Sequence, residues 1–188
     1  DTLLAIIDRA KVKTPNSSSR IIMEHYGYAR QDQHEKVAAE GIWVSNNPYY
    51  FYELSGPYSK QGLGLERASK ISSIGSLEKL KVPMSFHSDY FMAPAEPLVL
   101  VWSAVNRINS NGDVLAPEEK VSLFTAMKAV TIEAAKSIRL EKEIGTIAVG
   151  KKADFVLLAE NPFKINPVKI KDIRIYSTVF EGKEFKIQ

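Results

Sequence analysis

Three short apolar runs that each end in polar residues constrain the fold of this chain most. They are residues 20–25, 42–47 and 82–89. Segments with helical spacing separate these runs over 32–41 and 65–80, and a further helical segment follows over 97–108. Short apolar runs that alternate with helices are typical of parallel strands joined by crossover helices. We therefore predict an α/β fold with a parallel sheet.

The rest of the chain carries other patterns. Residues 1–12 have apolar side chains at helical spacing, and the proline- and serine-rich stretch 15–19 predicts a loop. The stretch 48–65 contains four tyrosines and three glycines, which is typical of a long loop over a functional site. Residues 117–137 predict a helix with an internal break at Thr131.

The last fifty residues have the composition of a β-rich segment. Residues 144–158 predict two short strands around a turn at Gly150, and 173–187 predict another pair around Gly182. His34, near the start of a predicted helix, is expected to face solvent. These patterns indicate a change of architecture after residue 138.

Composition excludes several classes of protein. The chain has no cysteine, so a disulfide framework, a thiol nucleophile and a thiolate zinc site are excluded, and a reducing compartment such as the cytoplasm is expected. Its 25 basic and 22 acidic residues are mixed along the chain, which argues against a nucleic-acid partner. Because no apolar stretch could span a bilayer, no membrane partner is expected. The chain opens at Asp1 inside a helical pattern, and we expect it to be part of a longer protein.

Polar side chains at the carboxyl ends of the three predicted strands are the candidates for a site. They are Glu24, His25, Asn46, Asn47, His87 and Asp89. In parallel α/β folds the ends of several strands meet at one edge, where the site lies. A neutral imidazole beside a carboxylate could bind a metal ion or act as a general base on water. Spacing alone leaves open that each is a hydrogen-bonded structural residue.

These segments resemble a known family. Residues 20–25, Arg-Ile-Ile-Met-Glu-His, resemble a strand of the metal-dependent amidohydrolases, and Ser-Asp at 88–89 resembles a strand end of the same superfamily. The loop 92–97 is similar to that of Amidohydrolase family 3, the branch that is like N-substituted formamide deformylase. The segment 143–158, with Gly-Lys-Lys-Ala-Asp-Phe, resembles the superfamily's characteristic C-terminal segment. Some relatives are named exoenzyme regulatory proteins.

The resemblance implies a particular architecture. Residues 1–138 would form the C-terminal part of a TIM (β/α)8 barrel, about strands 6 to 8 with their helices. Residues 139–188 would form part of a small β-sandwich. A barrel needs about 30 residues for each strand-helix unit, so residues 1–115 account for little more than three units.

The resemblance also implies roles for individual residues. His25 and Asp89 correspond to metal ligands, with zinc the expected divalent ion. Asp89 would also be catalytic, since it accepts a proton from the metal-activated water and passes it to the leaving nitrogen. His87 has no fixed counterpart in the family. Together with Asn47 and Tyr49 it is expected to contact a small-molecule substrate of the amide type, although His87 could equally be a structural histidine.

The chain departs from the family in its ligands. The family's His-x-His pair, its fourth-strand lysine or acid and its fifth-strand histidine have no counterparts here. From the resemblance we expect the parent protein to hydrolyse carbon-nitrogen bonds other than peptide bonds. Because these ligands are missing, we expect the isolated chain to be inactive and to bind metal weakly. The alternatives are a deaminase or cyclic-amide hydrolase, and a non-catalytic regulatory or binding protein that pairs through exposed sheet edges, including as a homo-oligomer.

Overall fold

A parallel sheet of three strands forms the centre of the structure, a computed structural model that describes residues 1–14 and 19–187. The strands are β1 (Ile22–His25), β2 (Trp43–Asn46) and β3 (Met84–Phe86), in the order β1-β2-β3. Both pairings are parallel, and Ser45 lies opposite Glu24 on one side and Ser85 on the other. The predicted parallel sheet is confirmed. The loop predicted over 15–19 lies outside the described residues except for Ser19.

Eight α-helices among the described residues surround or follow this sheet. They are α1 (Thr2–Lys13), α2 (Gln31–Ala39), α3 (Tyr49–Lys60), α4 (Gly64–Ala68), α5 (Ile74–Lys79), α6 (Pro97–Asn106), α7 (Leu123–Ala129) and α8 (Ile132–Ser137). Three short 3-10 segments cover Pro117–Glu119, Pro162–Lys164 and Pro167–Asp172. No helix in the part of the chain that the structure describes has the length and apolar character needed to cross a membrane.

The core lies between one face of the sheet and the helices. Val44 and Met84 project from neighbouring strands into a cluster with Val37, Leu77 and Val101, and all five side chains are buried. Alternate residues of a strand point to opposite faces, so these apolar positions leave Glu24, Ser45 and Ser85 for the other face. Burying each large aliphatic side chain stabilises the fold by about 1.5–3 kcal/mol.

The loop predicted over 48–65 is wrong, because this stretch forms α3 and the first residues of α4. Tyrosines, Gly56 and Pro57 are frequent in loops, but Phe51 and Ser55 stand four residues apart and form the buried face of a helix. Gly56 belongs to this face because a Cβ there would lie 2.9 Å from the side chain of Asn111. Tertiary packing therefore decides the conformation against local composition.

The helix predicted over 117–137 is divided. It begins as the 3-10 segment Pro117–Glu119, and α7 and α8 follow after an extended stretch. The break predicted at Thr131 is confirmed, since Thr131 separates α7 from α8. Ser122 begins α7 as an N-cap, with its hydroxyl accepting a hydrogen bond of 3.1 Å from the Thr125 amide.

An antiparallel sheet of three strands ends the chain. It contains β4 (Phe155–Leu158), β5 (Ile175–Phe180) and β6 (Lys183–Lys186), in that order. The strand pair around Gly182 is confirmed, but the pair around Gly150 is wrong, because only β4 forms there and 144–154 is a series of turns. The Lys151 ammonium donates to the carbonyls of Glu141 and Ile144, so these turns fold on themselves instead of pairing as a strand.

Arg107, directly after α6, fastens the turn between α4 and α5. The residue is 1% exposed, and its guanidinium donates to the carbonyls of Ser69, Ile71 and Ser72 at 2.6–3.0 Å. The same group lies 3.7 Å above the ring of Phe51 in α3. Burial lowers the pKa of Arg107 to about 10, so the side chain stays charged at neutral pH.

His34 is buried, and the expectation that it faces solvent is wrong. Only 3% of the residue is exposed, and its ring lies 5.6 Å from that of Tyr26. Its Nδ1 has no hydrogen-bond partner among the described residues. Burial lowers the pKa of His34, and the opposing effects of Glu119, Asp32 and Glu35 are smaller.

We predict that Arg107→Met lowers the free energy of unfolding by about 3 kcal/mol, because three backbone carbonyls, two of them in buried hydrogen bonds, lose their donor. Arg107→Lys should recover only part of this, since an ammonium group cannot reproduce the planar fork. Urea unfolding measures both values. Arg67→Met changes an exposed arginine of α4 and should stay within about 0.5 kcal/mol of the parent chain. Equal losses at positions 67 and 107 would contradict the role of Arg107.

His34 should make the chain less stable in acid. Its pKa is about 6.5 in the unfolded chain and lower in the folded one, so the unfolded state takes up a proton first as the pH falls. The free energy of unfolding should therefore decrease below about pH 6.5. His34→Gln should flatten this decrease, which urea unfolding at several pH values measures. An unchanged slope in the variant would show that His34 does not cause it.

Candidate functional site

The carboxyl ends of β1, β2 and β3 meet at one edge of the parallel sheet. In the register of the sheet His25 lies opposite Asn46, and Asn46 lies opposite Phe86. The amide of His87 continues the ladder by donating to the carbonyl of Asn46 at 3.0 Å. The predicted strand-end residues are therefore neighbours because parallel strands all finish on the same side.

His25 and Asp89 come together at this edge. Nδ1 of His25 lies 3.8 Å from Oδ2 of Asp89, and both side chains remain about half exposed. Both residues have left-handed backbone conformations, with φ of 66° and 50°. These conformations turn the chain away from the sheet at two places, at the last residue of β1 and three residues after the end of β3. The two residues predicted as metal ligands are thus adjacent and accessible.

The hydroxyl of Tyr50 connects these two residues. It donates a hydrogen bond of 2.6 Å to Oδ2 of Asp89 and lies 2.7 Å from Nδ1 of His25. The rings of Tyr50 and His25 are stacked, with centroids 5.9 Å apart. Burial raises the pKa of Tyr50 to about 12, with a further contribution from the bond to Asp89, so the hydroxyl keeps its proton.

Sequence reasoning missed Tyr50. It singled out the tyrosine-rich segment as a whole and placed that segment in a loop, where the direction of each side chain is undefined. The available signal was Pro48, because proline is favoured at the start of a helix. A helix that starts immediately after β2 places Tyr50 in its first turn, above the strand ends.

His87 contacts several groups of the site. Its Nδ1 lies 2.8 Å from the hydroxyl of Ser45 and 3.6 Å from a carboxylate oxygen of Glu24. The ring meets that of His25 edge-on, with centroids 5.2 Å apart. Burial lowers the pKa of His87, against the smaller opposite effect of Glu24. The Nε2 atom is buried and has no hydrogen-bond partner among the described residues.

Asn46 and Asn47 hold the strand ends together from within. Asn46 donates to the carbonyls of His25 and Tyr26 at 2.8 and 3.2 Å, and Asn47 donates to the carbonyl of Ser88 at 3.0 Å. Both asparagines are fully buried. Their amides therefore join β2 to the backbone on both sides of the site. That Asn47 also contacts substrate stays a prediction.

Tyr49 lies beside Tyr50 on α3 but has other contacts. Its amide donates to Oδ1 of Asn47 at 3.0 Å, and its hydroxyl donates to Glu53 at 2.9 Å. Burial raises the pKa of Tyr49 to about 12, with a further contribution from Glu53. The predicted substrate contact of Tyr49 remains a prediction.

A cavity of about 790 Å³ opens on the face of the sheet opposite the core. Polar residues of the strands and of the segment after β3 line it, namely Glu24, Ser45, Ser85 and His87. The rest of the lining combines apolar residues, including Val130, Ile138 and Val156, with polar ones such as Asp154. A cavity of this size with a few convergent polar groups is typical of sites for small molecules.

The donor atoms at the strand ends fit part of a metal site. Zinc binds imidazole nitrogen and carboxylate oxygen at about 2.0–2.2 Å. His25 and Asp89, whose nearest side-chain atoms lie 3.8 Å apart, bring one group of each kind to the same place. A complete site needs three or four protein ligands. Within residues 1–14 and 19–187, no group of three His, Cys, Asp or Glu side chains could hold an ion. His25 and Asp89 are fewer than that number, so among these residues they could form only part of a site.

Comparisons with known proteins identify relatives of this chain. The N-substituted formamide deformylase of Arthrobacter pascens is 24% identical over 167 residues, which are 89% of this chain and 31% of that protein. The Bacillus subtilis (strain 168) protein YtcJ, which is named as an amidohydrolase, is 30% identical over 79% of this chain and 28% of its own length. The chain thus spans less than a third of the curated relatives it matches here.

A solved structure and a family profile extend these similarities. The structure of an uncharacterized metal-dependent hydrolase from Pyrococcus horikoshii matches with a TM-score of 0.66 and 26% identity, over 78% of this chain and 30% of that one. The profile described as Amidohydrolase family matches residues 1–185. The chain therefore belongs to the amidohydrolase family.

Proposed function

We propose that, in a protein of its relatives' length, this chain forms one part of the active site of a metal-dependent amidohydrolase. The reaction is hydrolysis of a carbon-nitrogen bond other than a peptide bond, by water activated by a divalent metal ion. The observation that carries the proposal is the pairing of His25 and Asp89 at the carboxyl edge of a parallel sheet, in a member of this family. In this proposal β1 to β3 are barrel strands 6 to 8, and β4 to β6 belong to a small β-sandwich.

His25 and Asp89 would hold the metal ion, and zinc fits an imidazole and a carboxylate. A bound zinc ion supplies Lewis-acid chemistry, since it lowers the pKa of water and polarises a carbonyl group. Asp89 accepts the proton of the attacking water on a carboxylate oxygen and returns it to the leaving nitrogen. The remaining ligands come from parts of such a protein outside this chain. Alone, the 188 residues bind metal weakly and are inactive.

The substrate we propose is a small molecule with an amide-type bond. The cavity beside His87 has the volume for one, and its mixed lining suits a polar group joined to an apolar one. His87 is one of the residues that line this cavity, and we assign its substrate contact to this place. The name of the Arthrobacter pascens relative makes N-substituted formamides the first compounds to test.

We predict that Asp89→Asn, made in the complete gene product, lowers the hydrolysis rate of N-substituted formamides at least about 100-fold, because an amide cannot accept the proton of water. His25→Ala should lower the bound zinc, measured by plasma mass spectrometry after gel filtration. Glu160→Gln removes an exposed carboxylate outside the site and should leave both values unchanged.

The same experiment can overturn the proposal. If the complete gene product folds but binds no metal and hydrolyses no amide, the scaffold has a regulatory or binding role instead. If zinc is bound and Asp89→Asn retains full activity, the proton is carried by another group.

A further inference from the structure

Tyr50 occupies a position between the two groups that the proposed function assigns to the metal. One hydroxyl lies within 2.7 Å of Nδ1 of His25 and 2.6 Å of Oδ2 of Asp89. We infer that Tyr50 is a positioning residue, which fixes His25 with its proton on Nδ1 and so leaves Nε2 as the nitrogen that binds metal. The part of this inference that concerns metal rests on the proposed function.

The number of available protons determines the direction of both hydrogen bonds of Tyr50. A tyrosine hydroxyl carries one hydrogen, and a carboxylate can only accept. Tyr50 therefore donates to Asp89, and its oxygen is left to accept from Nδ1 of His25. A neutral imidazole has one N–H, so a proton on Nδ1 leaves a free lone pair on Nε2.

The surroundings of His25 restrict its ring in this orientation. The ring of Tyr50 stacks against one side, and the ring of His87 meets it edge-on. Asn46 holds the carbonyl of His25 by a hydrogen bond of 2.8 Å. Metal-bound histidines almost always donate their other ring N–H to an acceptor, which fixes the tautomer. The Tyr50 oxygen is that acceptor here.

Tyr50 also connects the two proposed ligands to each other. The order of donation runs from His25 through Tyr50 to Asp89, so a movement of either ligand lengthens a hydrogen bond. Without the hydroxyl, each side chain is about half exposed and free to turn toward water. The residue therefore orients both groups before a metal ion arrives.

Nitrogen-15 NMR of the 188-residue chain tests the tautomer directly. The chain has only three histidines, so their ring signals can be assigned by substitution. In the neutral form of the ring, reached by raising the pH until the histidine signals stop changing, we expect His25 to carry its proton on Nδ1. Tyr50→Phe should shift it to the Nε2–H form that free imidazole side chains prefer in water. Tyr58→Phe, an exposed tyrosine of the same helix, should change nothing.

Asp89→Ala provides a second variant with a specific result. Once the carboxylate is gone, the Tyr50 hydroxyl is free to donate to Nδ1, and His25 should change to the Nε2–H form. A His25 that stays in the Nδ1–H form in both Tyr50→Phe and Asp89→Ala would overturn the inference. So would a His25 in the Nε2–H form in the unaltered chain.

Zinc affinity of the complete gene product tests the consequence for the metal. Tyr50→Phe should weaken it about 10- to 100-fold, as is typical when the partner of a ligating histidine is lost, while Tyr58→Phe leaves it unchanged. Unchanged affinity in Tyr50→Phe would overturn the metal role of Tyr50. If the gene product binds no zinc at all while the tautomer changes as expected, the proposed function fails and the orienting role of Tyr50 is supported.

Discussion

Parallel hydrogen bonding of β1, β2 and β3 is the constraint on which the site depends. It makes three strands end at one edge, so side chains that are far apart in sequence become neighbours. Polar residues at the ends of apolar strands then lie beyond the core without disturbing it. Asn46 and Asn47 strengthen this arrangement, because their buried amides bind the backbone of the segments on either side.

The site is also tied to the packing of the helices. The hydroxyl of Ser72 donates to the carbonyl of Asn47 at 3.0 Å, and the carbonyl of Ser72 accepts from Arg107. Arg107 in turn rests on Phe51 of α3, the helix that carries Tyr50. The buried guanidinium of Arg107, which follows α6, therefore supports both the end of β2 and the start of α3, and the site is built from these two segments.

The sequence predicted the three parallel strands well, because continuous apolar runs with polar ends have few other solutions. It also predicted that His25 and Asp89 would be neighbours, which needed the family resemblance in addition to spacing. It could not single out Tyr50, because four tyrosines close to glycine and proline suggested a loop. The segment is a helix because Phe51 and Ser55 are buried on one face of it. Burial of His34 was hidden for a similar reason, as a histidine next to charged residues suggests a solvated surface. Family membership follows from the comparisons, whereas the division at residue 138 remains a prediction.

The left-handed conformations of His25 and Asp89 set stability against the proposed function at these two positions. Such a conformation costs a residue with a side chain about 1–2 kcal/mol, and glycine adopts it freely. Glycine variants at 25 and 89 should therefore unfold at higher temperature if the strain outweighs their lost contacts. A laboratory selection for heat resistance alone would then remove the two side chains to which the proposed function assigns the metal. Selection for the proposed activity would restore them.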